Sequence, residues 1–91
     1  MPNPSPWFVY ILHCADNSYY TGITTDLNRR LKQHNNGTGA KYTAAKKPTQ
    51  LIYHEQQPNR SQATKRELEL KKLTHQQKQQ FIANFRLFEK S

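Results

Sequence analysis

The stretch Tyr20-Thr21-Gly22-Ile23-Thr24-Thr25-Asp26-Leu27-Asn28-Arg29-Arg30-Leu31-Lys32-Gln33-His34-Asn35 joins a strand to a helix with almost no loop between them. Tyr19 to Thr24 is aromatic and β-branched, the composition of a strand. Thr25 or Asp26 can cap a following helix. Leu27 and Leu31 stand four apart, and Asn36-Gly37 should end the helix. Upstream, Trp7 to Cys14 is a run of aromatic, β-branched and apolar residues, which predicts a buried strand. Ala15-Asp16-Asn17-Ser18 is turn chemistry, so residues 7–24 read as an antiparallel hairpin. Downstream lies a basic loop, Thr38 to Thr49, then a short third strand, Leu51-Ile52-Tyr53. Pro58-Asn59-Arg60-Ser61 is a break with Asn59 or Ser61 as cap, and a helix follows over 61–73. Thr74 caps a last helix over 75–85, with Phe81, Ile82 and Phe85 inward. The predicted class is α+β: a small three-stranded antiparallel sheet flanked by helices, in the order β-β-α-β-α-α. Residues 1–91 read as one domain, with 1–6 a Pro-rich lead-in and 86–91 a tail.

At 91 residues the chain holds one core and no second one, with 34% hydrophobic residues and a mean hydropathy of −1.03. No apolar run approaches the roughly 20 residues that span a membrane. The first residues lack a basic segment followed by an apolar one, so no secretory signal is expected. Cys14 is the single cysteine, which excludes an internal disulfide and a CxxC zinc site. A reduced, cytoplasmic protein is the expectation. Lys and Arg total 14 against 6 acidic residues, a net charge of +8. The first 24 residues carry only Asp16, so the basic charge lies beyond the first hairpin. One basic face meeting a nucleic acid fits that balance better than a basic surface kept for solubility.

Three constellations carry possible chemistry. Tyr10 and Tyr20 should face each other across the hairpin, and Gly22 stands two residues beyond Tyr20. A strand tyrosine is ordinarily a packing residue. A glycine inside a strand marks a place where a ligand or another backbone comes close. Arg30 and His34 are four apart and share a helix face. That pairing reads either as a solvated basic face or as a guanidinium for a phosphoryl oxygen beside an imidazole that moves a proton. Glu67 lies about 40° of rotation from Ala63 on the helix whose Ala63 and Leu70 should line the core. A carboxylate in an apolar stripe is costly unless it is paired, for instance with Arg30 or Lys71, or bound to metal. Gly37-Thr38-Gly39-Ala40-Lys41 fails as a phosphate loop, because it follows a helix and lacks the Ser/Thr after the lysine. The four histidines and Cys14 have no zinc-finger spacing.

Val9-Tyr10, then Tyr20-Thr21-Gly22, Arg30, His34 and the later Glu67 resemble the GIY-YIG nuclease superfamily, and in particular its small stand-alone bacterial proteins. The resemblance covers about residues 7–83. Phe8 stands where the first glycine of the name-giving pattern would be, and Thr21 where the second isoleucine would be. The resemblance implies hydrolysis of phosphodiester bonds with one divalent cation, Mg²⁺ or Mn²⁺, on Glu67. It implies Tyr10 as general base, Tyr20 orienting water or phosphate, and His34 bonding or relaying for a tyrosine. Arg30 would stabilise the transition-state charge. Arg29, Lys32, Lys41, Lys46, Lys47 and Lys72 would hold the backbone, with Gly22 at the point of close approach. A late Asn or Lys in the family has its matches here among Lys71, Lys78 and Asn84.

Three functions follow from these residues: a metal-dependent nuclease on DNA, a non-cutting or partner-dependent nucleic-acid module of the same fold, or a structural adaptor. The full set of Tyr10, Tyr20, Arg30, His34 and Glu67 favours the nuclease. With no second binding domain, selection by nucleic-acid structure is expected over selection by sequence, in DNA repair or recombination. RNA is a second candidate substrate, and a protein partner could supply targeting.

Overall fold

The computed structural model describes residues 6–36 and 49–90, with side chains as far as Phe85. Lys41, Lys46 and Lys47, most of the basic loop, and most of the lead-in lie outside the described residues. Strands β1 (Trp7–Cys14) and β2 (Tyr19–Thr24) form the hairpin, helix α1 (Leu27–Asn35) follows, and β3 (Thr49–Gln57) completes the sheet. Helices α2 (Arg60–Lys71) and α3 (His75–Lys90) close the chain. The expected β-β-α-β-α-α order is observed, with an antiparallel sheet in the spatial order β2-β1-β3.

Placing β1 in the centre explains its composition. Val9, Tyr10, Ile11 and Leu12 are all buried, so both of its faces need apolar residues. Val9 and Ile11 point to one face, where Tyr53, Ala63, Leu70 and Ile82 join them in the main core. Phe81 and Phe85 pack against this cluster from α3, as the helix pattern predicted. Tyr10 and Leu12 point to the other face, where the buried residue of α1 is His34.

The strand β3 is longer than Leu51-Ile52-Tyr53. It pairs with β1 from Trp7↔Gln57 to Cys14↔Thr49, with a register shift between Ile11 and Leu12 that leaves Ile52 without an opposite residue. That bulge interrupts the alternation. Beyond it the inward position 55 holds a carboxylate, made tolerable by Tyr53 Oη at 2.6 Å and Arg66 Nε at 3.0 Å. A polar strand with one inward ion pair has no apolar signature.

The helix ends are capped from the sequence. Asp26 Oδ1 accepts the Arg29 N–H at 3.0 Å, and Asn59 Oδ1 accepts that of Gln62 at 2.9 Å. Asn59 rather than Ser61 therefore starts α2. Thr74 and Gln77 exchange reciprocal bonds of 3.1 and 2.9 Å, a capping box for α3. The backbone of α3 stays helical to Lys90, so the expected tail over 86–91 is mostly helix. No helix among the described residues is long and apolar enough to cross a membrane.

Candidate active site

The site forms on the sheet face covered by α1. Tyr10 pairs directly with Gly22, while Tyr20 stands opposite Leu12. The two tyrosines are therefore diagonal neighbours on one face, with ring centroids 6.3 Å apart, rather than directly opposed. A Cβ on residue 22 would meet Tyr10 Oη at 2.6 Å and Cζ at 2.8 Å. Gly22 is thus required because the Tyr10 ring lies over its backbone. The close approach comes from this chain's own phenol, where the sequence pointed to a ligand or another backbone.

Arg30 and His34 come from one face of α1 and converge on the same oxygen. Arg30 Nε donates to Tyr10 Oη at 3.3 Å, and His34 Nε2 lies 2.9 Å from it. A guanidinium only donates, and the direction of the Tyr10–His34 bond follows the imidazole tautomer: with the ring proton on Nδ1, the phenol donates to His34 Nε2. Tyr20 closes the cluster, its ring centroid 5.0 Å from that of His34. His34 is fully buried, so its side of α1 is not the solvated basic face that was one reading of the pair.

The electrostatics keep both rings neutral. Burial pushes the Tyr10 phenol up to about 12, against the lowering effect of its Arg30 hydrogen bond. Burial, with the Arg30 charge, lowers His34 to about 4. Arg30 itself is held above its ordinary range, first by the hydrogen bond to Tyr10. A fixed cation, a neutral phenol and a neutral imidazole therefore meet at one point, ready for an anion and for proton transfer.

Glu67 stands on α2, which packs on the opposite face of the sheet. Its carboxylate is half-buried, with the side chain 18% exposed. Its charge acts on Tyr10 and raises the phenol further. Its ion partner is Lys71, at 3.6 Å and one helical turn away. Lys71 is itself half exposed, and an i,i+4 helix pair is worth only about 0.3–0.5 kcal/mol, so this contact leaves the carboxylate able to take another partner. The described residues hold no group of three His, Cys, Asp or Glu that could bind a metal. One hard oxygen donor, completed by water and phosphate, fits Mg²⁺ or Mn²⁺ and does not fit zinc.

Of the backbone-contact candidates, Arg29 lines an open groove together with Arg30. Lys32 and Lys72 are exposed on α1 and at the end of α2. Asn84, exposed on α3, accepts a bond from Gln80.

Three residues of the site went unread in the sequence. Gln33 accepts from Arg30 Nη1 at 3.1 Å and fixes the guanidinium plane. Its position three residues after Arg30 is the available signal. Asn35 ties α1 to β3: its Oδ1 accepts the Thr49 N–H at 2.7 Å and the Thr49 hydroxyl at 3.1 Å, and its Nδ2 donates to the Thr49 carbonyl at 3.2 Å. Trp7, at the start of β1, lines the groove beside Arg29 and Arg30.

A family model described as the GIY-YIG catalytic domain matches residues 6–80. A UPF0213 protein of Enterococcus faecalis is 47% identical over 87 residues, which cover 93% of this chain and 99% of that protein. A UPF0213 protein of Staphylococcus epidermidis is 51% identical over 75 residues, 82% of this chain and 92% of that one. Among solved structures, the solution NMR structure of an E. faecalis protein has a TM-score of 0.62 at 47% identity, covering 96% of this chain and 93% of its own. The solution NMR structure of a UPF0213 protein from Bacillus halodurans has a TM-score of 0.56 at 42% identity, with coverages of 86% and 83%.

Proposed function

This chain belongs to the GIY-YIG family, and on that footing we propose that it is a divalent-metal-dependent endonuclease that hydrolyses DNA, selecting its sites by nucleic-acid structure. The observation that carries the reading is the Tyr10 hydroxyl, held between Arg30 Nε and His34 Nε2 in the space that Gly22 leaves open. A buried packing tyrosine is satisfied by one hydrogen-bond partner, whereas here a cation and a buried imidazole both converge on the oxygen.

The chain's own groups divide the work. Arg30 draws a phosphate to the site and opposes the charge that builds on its oxygens. Tyr10 accepts a proton from the attacking water while passing its own to His34 Nε2, which leaves an imidazolium and a hydroxide-like nucleophile. In the resting site Arg30 opposes that transfer by lowering His34. A bound phosphate offsets the Arg30 charge, so His34 becomes a better proton acceptor when substrate is in place. Tyr20 borders the reacting oxygen. Glu67 would hold the metal, which when bound supplies charge stabilisation to the phosphoryl group. Lys32, Lys72 and the loop lysines Lys41, Lys46 and Lys47 would contact backbone phosphates. We place this activity in the cytoplasm, in DNA repair or recombination.

The test is cleavage of labelled single-stranded, duplex and branched DNA, with RNA counterparts, in Mg²⁺, Mn²⁺ or EDTA. Tyr10→Phe, which removes only the hydroxyl, should slow cutting by about 100-fold or more with binding retained. Binding without cutting by the wild type in every metal would favour the non-cutting module.

A further inference from the structure

We propose that the groove beside the site is a subsite for one unpaired nucleotide of the substrate, its base against Trp7 and its phosphate on Arg29 and Arg30. This rests on the nuclease reading and names the class of DNA it takes. The groove has a volume of about 240 Å³ and is lined by Trp7, Ile23, Thr25, Arg29, Arg30 and Gln33, among others. That is below the roughly 300 Å³ of a drug-sized pocket, and suits a single base with its phosphate.

Its chemistry is that of a nucleotide. The lining residues offer two guanidinium groups and no carboxylate. A third guanidinium, that of Arg60, sits over the Trp7 ring at 5.8 Å from its centroid. Ile23 and Trp7, both packed in part against the main core, present their remaining surface as the apolar wall of the groove, and the amide of Gln33 is held in place by Arg30. Apolar wall, aromatic ring and paired cations together match base plus phosphate better than a free anion, which has no use for the indole.

Arg30 connects the groove to the chemistry. Its Nε reaches Tyr10 Oη while the same side chain lines the groove. The nucleotide seated there is therefore next to the phosphate that is cut. A base in a duplex interior has both of its π-faces covered by neighbours, so a base that stacks on Trp7 has left the helical stack. The groove thereby gives structure selection a physical basis: a one-nucleotide flap or a single strand fills it, and a continuous duplex does not.

Trp7 is the chain's single tryptophan, so its fluorescence reports on the groove alone. The full chain is titrated in EDTA with three DNAs: a nicked duplex bearing a one-nucleotide flap, the same DNA with an abasic flap, and a continuous duplex. The flap should quench Trp7 and bind about tenfold more tightly than the abasic flap or the duplex. Trp7→Phe should keep much of that preference, and Trp7→Ala should abolish it. Arg29→Ala should weaken all three and lower the salt slope by about one charge. Equal affinity and equal quenching for flap and abasic flap in the wild type would overturn the subsite while leaving the nuclease reading intact. Failure to bind any of the three would overturn both.

Discussion

The hydroxyl of Tyr10 lies 2.9 Å from Nε2 of His34, and neither ring carries charge at neutral pH. One residue comes from the central strand and the other from α1, 24 positions later. Both are buried, and Arg30 is the adjoining cation. Burying a neutral pair beside a fixed charge costs less than burying an ion pair, and it holds a transferable proton at a defined atom. Stability, proton affinity and activity are coupled through this contact.

The first consequence is acid sensitivity. His34 takes up its proton near 6.5 when unfolded and near 4 when folded, so between those values the unfolded chain binds more protons. Stability is therefore complete above pH 6.5 and falls as pH drops through 4, by roughly 3 kcal/mol from this residue. Denaturant unfolding at stepped pH should show this increment in the wild type and lack it in His34→Asn. Parallel pH profiles for the two proteins would contradict it.

Arg30 sets the proton affinity of its neighbours. In Arg30→Gln, His34 should titrate above 4, since the Arg30 charge is one of the two causes that lower it. Histidine NMR signals followed through pH check this directly. The same variant should lose about 100-fold or more in cleavage, the usual loss for one charge-stabilising donor. An unmoved His34 titration would mean that burial alone holds the imidazole neutral.

Gly22 tests the geometry of Tyr10. Glycine to alanine within a strand ordinarily stabilises by about 0.5–1 kcal/mol. Here the added methyl meets the phenol at 2.6 Å, so Gly22→Ala should instead destabilise by about 1–3 kcal/mol and displace the hydroxyl from His34. Cleavage should fall about 100-fold. A stabilised and fully active Gly22→Ala protein would show that the phenol has room to move.

Asn35 holds the far end of α1. Removing its amide orphans the N–H and the carbonyl of Thr49, both bonded to it. Asn35→Ala should cost about 1–3 kcal/mol in urea unfolding. Cleavage should drop less than in Arg30→Gln, because Asn35 fastens α1 to β3 and its bonds go to Thr49, not to the reacting oxygen. A loss of activity as large as that of Arg30→Gln would give Asn35 a direct part.

Much of the architecture was legible because local chemistry and tertiary role agree. The apolar run of β1 is continuous because both of its faces are buried. Asp26, Asn59 and Thr74 act as caps where cap chemistry stands in the chain. Tyr10, Tyr20, Arg30 and His34 were legible as an ordered set, and the structure brings all four together. Other features depend on partners distant in sequence. The length of β3 was hidden by the bulge at Ile52 and by an inward Glu55, which is acceptable only because Arg66 arrives from α2. The diagonal placement of Tyr20 depends on hairpin register, which a turn sequence does not fix by itself. The latch between Asn35 and Thr49 spans the basic loop, and no periodicity announces it.

Glu67 decides between a nuclease and a binding module most directly. The measurement is cleavage of a labelled flap substrate by the wild type and Glu67→Gln, in Mg²⁺ and in EDTA, with binding and unfolding recorded for both. The account predicts cutting by the wild type in Mg²⁺ alone, loss of cutting in Glu67→Gln, and binding that is equal or tighter because a negative charge is gone. Cutting by folded Glu67→Gln at the wild-type rate would contradict the assignment of Glu67 to the metal.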